Sequence, residues 1–174
     1  ATGDPLLCVL LGAILTWAAH SSVATVLLVI SFAQSQFVTP EAAVALVLGA
    51  NLGSAINPLF EAGRANDMAS KRVPVGNLIT RVIGVVIVLP FAGAIAAWAT
   101  KAGIGPALLT SSFHLVFNLV LALIFIIPLN TFAGLLVKYL PEARDESDPG
   151  QPKYLTEGAY TTPSLALSDA ARET

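Results

Sequence analysis

The stretch Thr16-Trp17-Ala18-Ala19-His20-Ser21-Ser22-Val23-Ala24-Thr25 lies inside an apolar run that carries no Asp, Glu, Lys or Arg between Asp4 and Glu41. One crossing of a bilayer needs about 20 apolar residues. At about 1.5 Å per residue, a straight helix over residues 5–33 overshoots a hydrocarbon core of about 30 Å. The excess coincides with the small hydroxyl residues at its centre, so the run predicts two half-length helices meeting near His20–Val23. Backbone unwinds at membrane depth only where protein or a wet cavity satisfies its N–H and C=O groups, and such a break marks a binding site.

Outward from this stretch, the 174 residues are 55% hydrophobic and only 11% charged, with a mean hydropathy of +0.76. Soluble domains carry about 25% charged residues, so the chain reads as an all-α integral membrane protein. The charge is divided. Residues 1–140 hold six Lys/Arg against four Asp/Glu, whereas residues 141–174 hold three against seven. A membrane transport domain over 1–140 is therefore expected to lead into a short aqueous tail over 141–174. The lone Cys8 has no partner for a disulfide or a cysteine metal site. No initiating Met or basic segment precedes Pro5, so nothing reads as a cleavable signal peptide, and the chain reads as a piece of something longer. At the far end, Thr162-Pro163-Ser164-Leu165 looks like the start of a helix, with Pro in its first turn.

Along the chain, Thr39-Pro40-Glu41 reads as a second helix start: a hydroxyl cap, Pro at the first position and a carboxylate at the positive end of the dipole. The helix is expected from Ala42 to about Leu48, where it meets Gly49-Ala50-Asn51-Leu52-Gly53-Ser54. Two glycines there predict a second break or a tight helix crossing. Residues 61–72 are polar and read as a loop, followed by spans over 73–98 and 106–138 joined at Thr100–Gly103. The Lys and Arg of that loop, with Lys138 and Arg144, assign the loop and the tail to the cytoplasm.

The last two spans share an echo. Asn77 and Arg81 in one, and His114 and Asn118 in the other, are polar residues four apart on a single helical face. Arg81 is the costliest residue in the spans; it faces the bundle, snorkels towards the basic loop, pairs with Asn77, or contacts an anion directly. His114 and Asn118 brace the broken helices or shape the pathway. Enzyme chemistry finds no support. His20 and Ser21 are adjacent and do not face each other on a helix, no Gly-x-Ser-x-Gly elbow surrounds either serine, and there is no P-loop, metal-ligand motif or nucleic-acid-binding basic surface.

The two interruptions resemble a family: the sodium-dependent phosphate cotransporters of the type II kind, including bacterial members with a cytoplasmic PhoU-like extension. That family carries a Gln-Ser-Ser-Ser-Ala-Thr-like segment followed by Gly-Ala-Asn-Ile-Gly-Thr in each of two inverted repeats. The matching stretches are His20-Ser21-Ser22-Val23-Ala24-Thr25 and Gly49-Ala50-Asn51-Leu52-Gly53-Ser54, supported by Lys71-Arg72, Phe113-His114-Leu115-Val116-Phe117-Asn118 and, in the tail, Tyr154-Leu155 and Pro163–Leu167. Here His20 replaces Gln, Val23 replaces Ser and Ser54 replaces Thr, while Asn77 and Arg81 stand for the usual His and Asn.

The resemblance implies one half of an inverted-repeat transporter with broken or re-entrant helices, this chain being the second repeat. It implies secondary transport of inorganic phosphate coupled to sodium across the plasma (inner) membrane, with the missing first repeat of the same protein completing the site. Substrate or ion contacts then fall to His20, Ser21, Ser22, Thr25, Asn51 and Ser54, with Asn77, Arg81, His114 and Asn118 on the pathway. Hydroxyls and half-helix N-termini would donate to phosphate, and Ser21 and Ser22 with freed carbonyls would take sodium as coupling ion. Apart from sodium no cofactor is implied, and the partners are phosphate and the lipid bilayer, not nucleic acid. The exchanges at His20 and Val23 motivate an alternative: a non-transporting, altered-specificity or proton-coupled relative that anchors or senses for its cytoplasmic tail.

Overall fold

The computed structural model describes residues 3–62, 68–142 and 163–173, all of the regular structure among them helical. The chain divides into two units, Ala1–Glu142 and Ala143–Thr174. In the first, α1 (Pro5–Ala19) and α2 (Ser22–Gln34) are followed by α3 (Pro40–Ala62), α4 (Arg72–Val88), α5 (Ala92–Lys101), α6 (Pro106–Ile126) and α7 (Leu129–Tyr139). In the second, α8 spans Pro163–Glu173 and starts at the expected proline. The tail residues Arg144 and Tyr154-Leu155, and Arg64 and Asp67 of the polar loop, lie outside the described residues.

The first apolar run is broken where its length demanded. The helix α1 starts under the Asp4 carboxylate, which accepts from the N–H groups of Leu6 and Leu7, and ends on His20 in the left-handed region. Ser21 is extended and caps α2, its Oγ accepting from Ala24 N–H at 3.2 Å. Two helices of 15 and 13 residues result. Each is roughly 20 Å long, too short to cross a hydrocarbon core of about 30 Å.

The second interruption resolves differently. Residues 49–54 are not a break: α3 is helical through all 23 residues from Pro40 to Ala62, well past the expected end near Leu48. Its glycines form the crossing with α1. A Cβ on Gly49 would be driven into the Val9 carbonyl oxygen, one on Gly12 into that of Leu46, and one on Gly53 into that of Ala13. The pattern Gly49-x-x-x-Gly53 thus admits a neighbouring backbone at a distance that a side chain would forbid. Helical geometry survives because α1 supplies the packing that the glycines lack. In turn α3 is buried on every side from Ala42 to Asn51, and becomes the post around which α1, α2, α4, α5 and α6 assemble.

Three helical stretches among the described residues are long and apolar enough to cross a membrane: Pro40–Ala62, Ala69–Lys101 and Pro106–Ile126. The expected span over 73–98 is longer, joined through a 3-10 turn at Leu89–Phe91 around Pro90. The span expected over 106–138 is instead two helices, because α6 stops before Pro128, which has no N–H to continue it. Large apolar side chains face outward along α6, with Leu115, Leu119, Leu123 and Ile126 all more than half exposed. Such a surface is unfit for water and suited to acyl chains. At the start of α4, Arg72 Nε donates to the Leu140 carbonyl at 2.8 Å, fastening the end of α7.

Glycine substitution separates the crossing from a passive site. Gly49→Leu is expected to lose most of the folded protein, since the clash is with backbone and exceeds the ~1–3 kcal/mol of ordinary overpacking. Gly134→Ala, in α7 with open space around it, is expected to fold as well as the parent or better. Yield of monodisperse protein and melting temperature in detergent check both.

Candidate functional site

The predicted residues collect at two places. The first is the break. Thr16 and Thr25, from the two half-helices, meet across it: Thr16 donates to the Thr25 hydroxyl at 2.8 Å, and Thr25 donates to the Ser21 carbonyl at 3.3 Å. Both threonines are buried, so Thr25 is spent on holding the break together. Its partner Thr16 belongs to the quoted stretch and was not singled out from sequence, because the nine-residue separation gives no helical register to read. The Ser22 and Val23 N–H groups, and the Ala18 and Ala19 carbonyls, make no hydrogen bond to a described residue. These are the loose donors of one helix start beside the loose acceptors of one helix end.

A cavity of about 550 Å³ adjoins the break, lined by Trp17, Ala18, His20, Asn57, Phe60 and Glu61. Asn57 Nδ2 donates to the Trp17 carbonyl at 3.3 Å, tying the end of α1 to α3. Pro58 sits inside α3 and cannot bond back to the Ser54 carbonyl, leaving that oxygen without its helical donor. The Ser54 hydroxyl donates to the Asn51 carbonyl at 2.9 Å, within its own helix. Of the residues named from sequence, His20, Ser21, Ser22 and Thr25 are therefore brought together at the break.

The second place is built around Arg81, and it gathers Asn51 with all four of the pathway residues. Arg81 Nε donates to Asn77 Oδ1 at 3.3 Å, and Nη1 donates to Asn118 Oδ1 at 2.7 Å and to Asn51 Oδ1. Asn118 Nδ2 donates to Asn51 Oδ1 at 2.8 Å and to the His114 carbonyl at 2.7 Å. Asn51 Nδ2 donates to the Val47 carbonyl at 2.9 Å and lies 3.4 Å from His114 Nδ1. A guanidinium has donors only, so it fixes the orientation of all three amides, oxygens towards Arg81. The Asn51 nitrogen then faces His114, a hydrogen bond when the ring proton is on Nε2.

The face-sharing pairs seen in sequence were thus two sides of one cluster, with Asn51 of α3 between them. Sequence supplied the pairs but not their convergence, which depends on the crossing that sets α3 against α4 and α6. The pairing of Arg81 with Asn77 is present, joined by two longer-range amides. A charge at the centre of a span costs about 2.5–3.5 kcal/mol on an insertion scale, and this half-buried guanidinium offsets that cost with amide oxygens. No acidic residue occurs from Met68 to Pro141, and no described Asp or Glu pairs with it. Beside it lies a cavity of about 190 Å³ whose polar lining is Asn77, Thr80, Arg81 and Asn118. Thr80 was not anticipated from sequence; its hydroxyl donates to the Asn77 carbonyl at 2.9 Å. Among the described residues no group of three or more His, Cys, Asp or Glu is placed to hold a metal ion.

Interrupted half-helices against a buried central helix, outward apolar faces and an arginine caged inside the bundle define a polytopic, all-helical membrane protein. The chain belongs to the Na+/Pi-cotransporter family, whose model matches residues 1–126. Over 99% of its length it is 36% identical to "Putative inorganic phosphate export protein YjbB" of Escherichia coli strain K12, and 35% identical to the protein of that name in Salmonella typhimurium. Over 76% of its length it is 31% identical to "Uncharacterized protein YqeW" of Bacillus subtilis, covering 43% of that protein. The chain spans about a third of the length of the phosphate-export relatives, 32% in the Escherichia coli protein. No solved structure matches it at a significant level.

Asn51 is the joint of the cluster. Asn51→Leu is expected to cost about 3 kcal/mol or more, because it removes the oxygen that accepts from both the Arg81 guanidinium and the half-buried Asn118 amide. Asn51→Asp, which keeps an acceptor and adds the charge opposite to Arg81, is expected to cost less. Thermal unfolding of the purified protein in detergent measures the difference.

Proposed function

We propose that this chain is the second of two inverted repeats of a secondary transporter that moves inorganic phosphate across the plasma (inner) membrane, with sodium as the coupling ion. The observation that carries the reading is the break at His20–Ser21. It leaves the N–H groups of Ser22 and Val23 beside the carbonyls of Ala18 and Ala19, in a segment where an unsatisfied backbone group costs several kcal/mol. Donors of this kind suit an oxyanion, and the acceptors, with the hydroxyls of Ser21 and Ser22, suit sodium. The family description and the printed name of the relatives support phosphate as the substrate. Their threefold greater length leaves room for a first repeat, which would close the site from the other side. Residues 141–174 then lead into a cytoplasmic PhoU-like helical region.

His20 supports a second reading. It is exposed, holds the left-handed conformation at the break and lines the larger cavity, where a ring that binds and releases a proton would replace sodium as the coupling device.

Radiolabelled phosphate flux in vesicles carrying the full-length protein separates the readings, run in both directions. An inward sodium gradient is expected to change the flux at least tenfold, and Ser22→Ala to reduce that effect severalfold. Flux that ignores sodium and follows a proton gradient selects the second reading. Flux that ignores both gradients removes the coupling.

A further inference from the structure

Among the described residues, no carboxylate neutralises Arg81. Its three recorded partners, Asn51, Asn77 and Asn118, are amides that orient a charge without cancelling it. The elements packed against α4 offer nothing better: α6 and α7 contain no Asp or Glu, and the acids of α3, Glu41 and Glu61, pair with no arginine of α4. His114, the one titratable neighbour in the cluster, is 3.4 Å from Asn51 and makes no recorded bond to the guanidinium. A half-buried guanidinium is stabilised by an opposite charge or further acceptors, and with Nε and Nη1 engaged its Nη2 keeps two N–H donors from which an oxyanion can accept.

Two sets of donors are left without a partner among the described residues. Nε and Nη1 are used by the three amides, while Nη2 makes no hydrogen bond to a described residue. The Asn77 amide, its oxygen held by Nε, has an N–H pair that makes no hydrogen bond to a described residue. Both residues line the cavity of about 190 Å³, which is far above the ~15 Å³ that admits one water. Leu121 and Phe125 form part of its apolar wall, which weakens screening and strengthens any ion pair made inside.

We propose that Arg81 and Asn77, framed by Thr80 and Asn118, form an oxyanion subsite for a phosphate group, distinct from the half-helix junction at His20–Ser21. Two sources carry that chemistry, free inorganic phosphate and the headgroup of an anionic phospholipid. Arg81 makes the charged contact, and Asn51 and Asn118 hold its plane in place. The inference rests on the transporter reading only in the choice of phosphate as probe.

The test is equilibrium binding, which needs neither flux nor sodium. The full-length protein is reconstituted in phosphatidylcholine nanodiscs, and radiolabelled inorganic phosphate is titrated onto the parent, Arg81→Gln, Arg81→Lys and Asn77→Asp. Asn77→Asp is nearly isosteric and supplies a carboxylate to the guanidinium, so it is expected to fold at least as well as the parent while displacing the anion. Free phosphate as occupant predicts at least tenfold weaker binding in Arg81→Gln and Asn77→Asp, with Arg81→Lys between them and the parent. A second arm extracts the proteins from phosphatidylglycerol-containing membranes and counts the lipid retained. Phosphate binding unchanged, with phosphatidylglycerol lost in the same two variants, assigns the subsite to a headgroup. If folded Asn77→Asp retains both ligands as the parent does, the proposal is overturned, even where Arg81→Gln fails to fold. A protein that shows this binding but no transport keeps the subsite and loses the transporter reading.

Discussion

The structure depends on the approach of two backbones, α1 and α3, at Gly12, Gly49 and Gly53. Each glycine seats on a carbonyl oxygen of the other helix, so the distance is set by backbone and not by side-chain size. In lipid there is little hydrophobic force to press helices together, and close van der Waals contact of this kind takes its place. Everything polar follows from it. With α3 held as the buried post, Asn51, midway between Gly49 and Gly53 on the same helix, is fixed where Arg81 and Asn118 reach it. The same crossing sets Thr16 of α1 against Gly53 and brings the end of α1 alongside Asn57.

Two kinds of polar assembly result, with different physics. At the break, unpaired backbone groups of both signs lie within a few residues of one another, the cheapest way for a lipid-embedded chain to present donors and acceptors without charged side chains. At Arg81, a full charge is carried into a span and wrapped in amides. The first arrangement suits small ions that arrive and leave, because the Ser22 and Val23 N–H groups and the Ala18 and Ala19 carbonyls are committed to no partner among the described residues. The second fixes a geometry: the guanidinium dictates which way three asparagines turn, and one of them in turn faces His114.

Much of this was legible in sequence for reasons that can be named. A run too long for one crossing, with hydroxyls at its middle, located the helix break to within a residue or two. The two glycines near Asn51 announced a break or a crossing, and length could not choose between them. What decided was a partner forty residues away, since Gly12 sits in α1 and gives no local sign that it will meet Leu46. The span expected over 106–138 contains Pro128, which has no N–H to carry a helix through, and the structure has two helices there. Asn77 with Arg81 and His114 with Asn118 were visible as faces. Their union through Asn51 was not, because spacing reports which residues share a helix surface and says nothing of which surfaces meet.

The proposed function requires the break at His20–Ser22 to be open to water at membrane depth. It is tested most directly by placing single cysteines at His20, Ser22 and the apolar, outward-facing position Leu123 of α6 in the full-length protein with Cys8 removed, then applying a membrane-impermeant thiol reagent to intact membranes. The account predicts rapid modification at 20 and 22, slowed by added phosphate, and none at 123. Equal inertness at all three positions would contradict it.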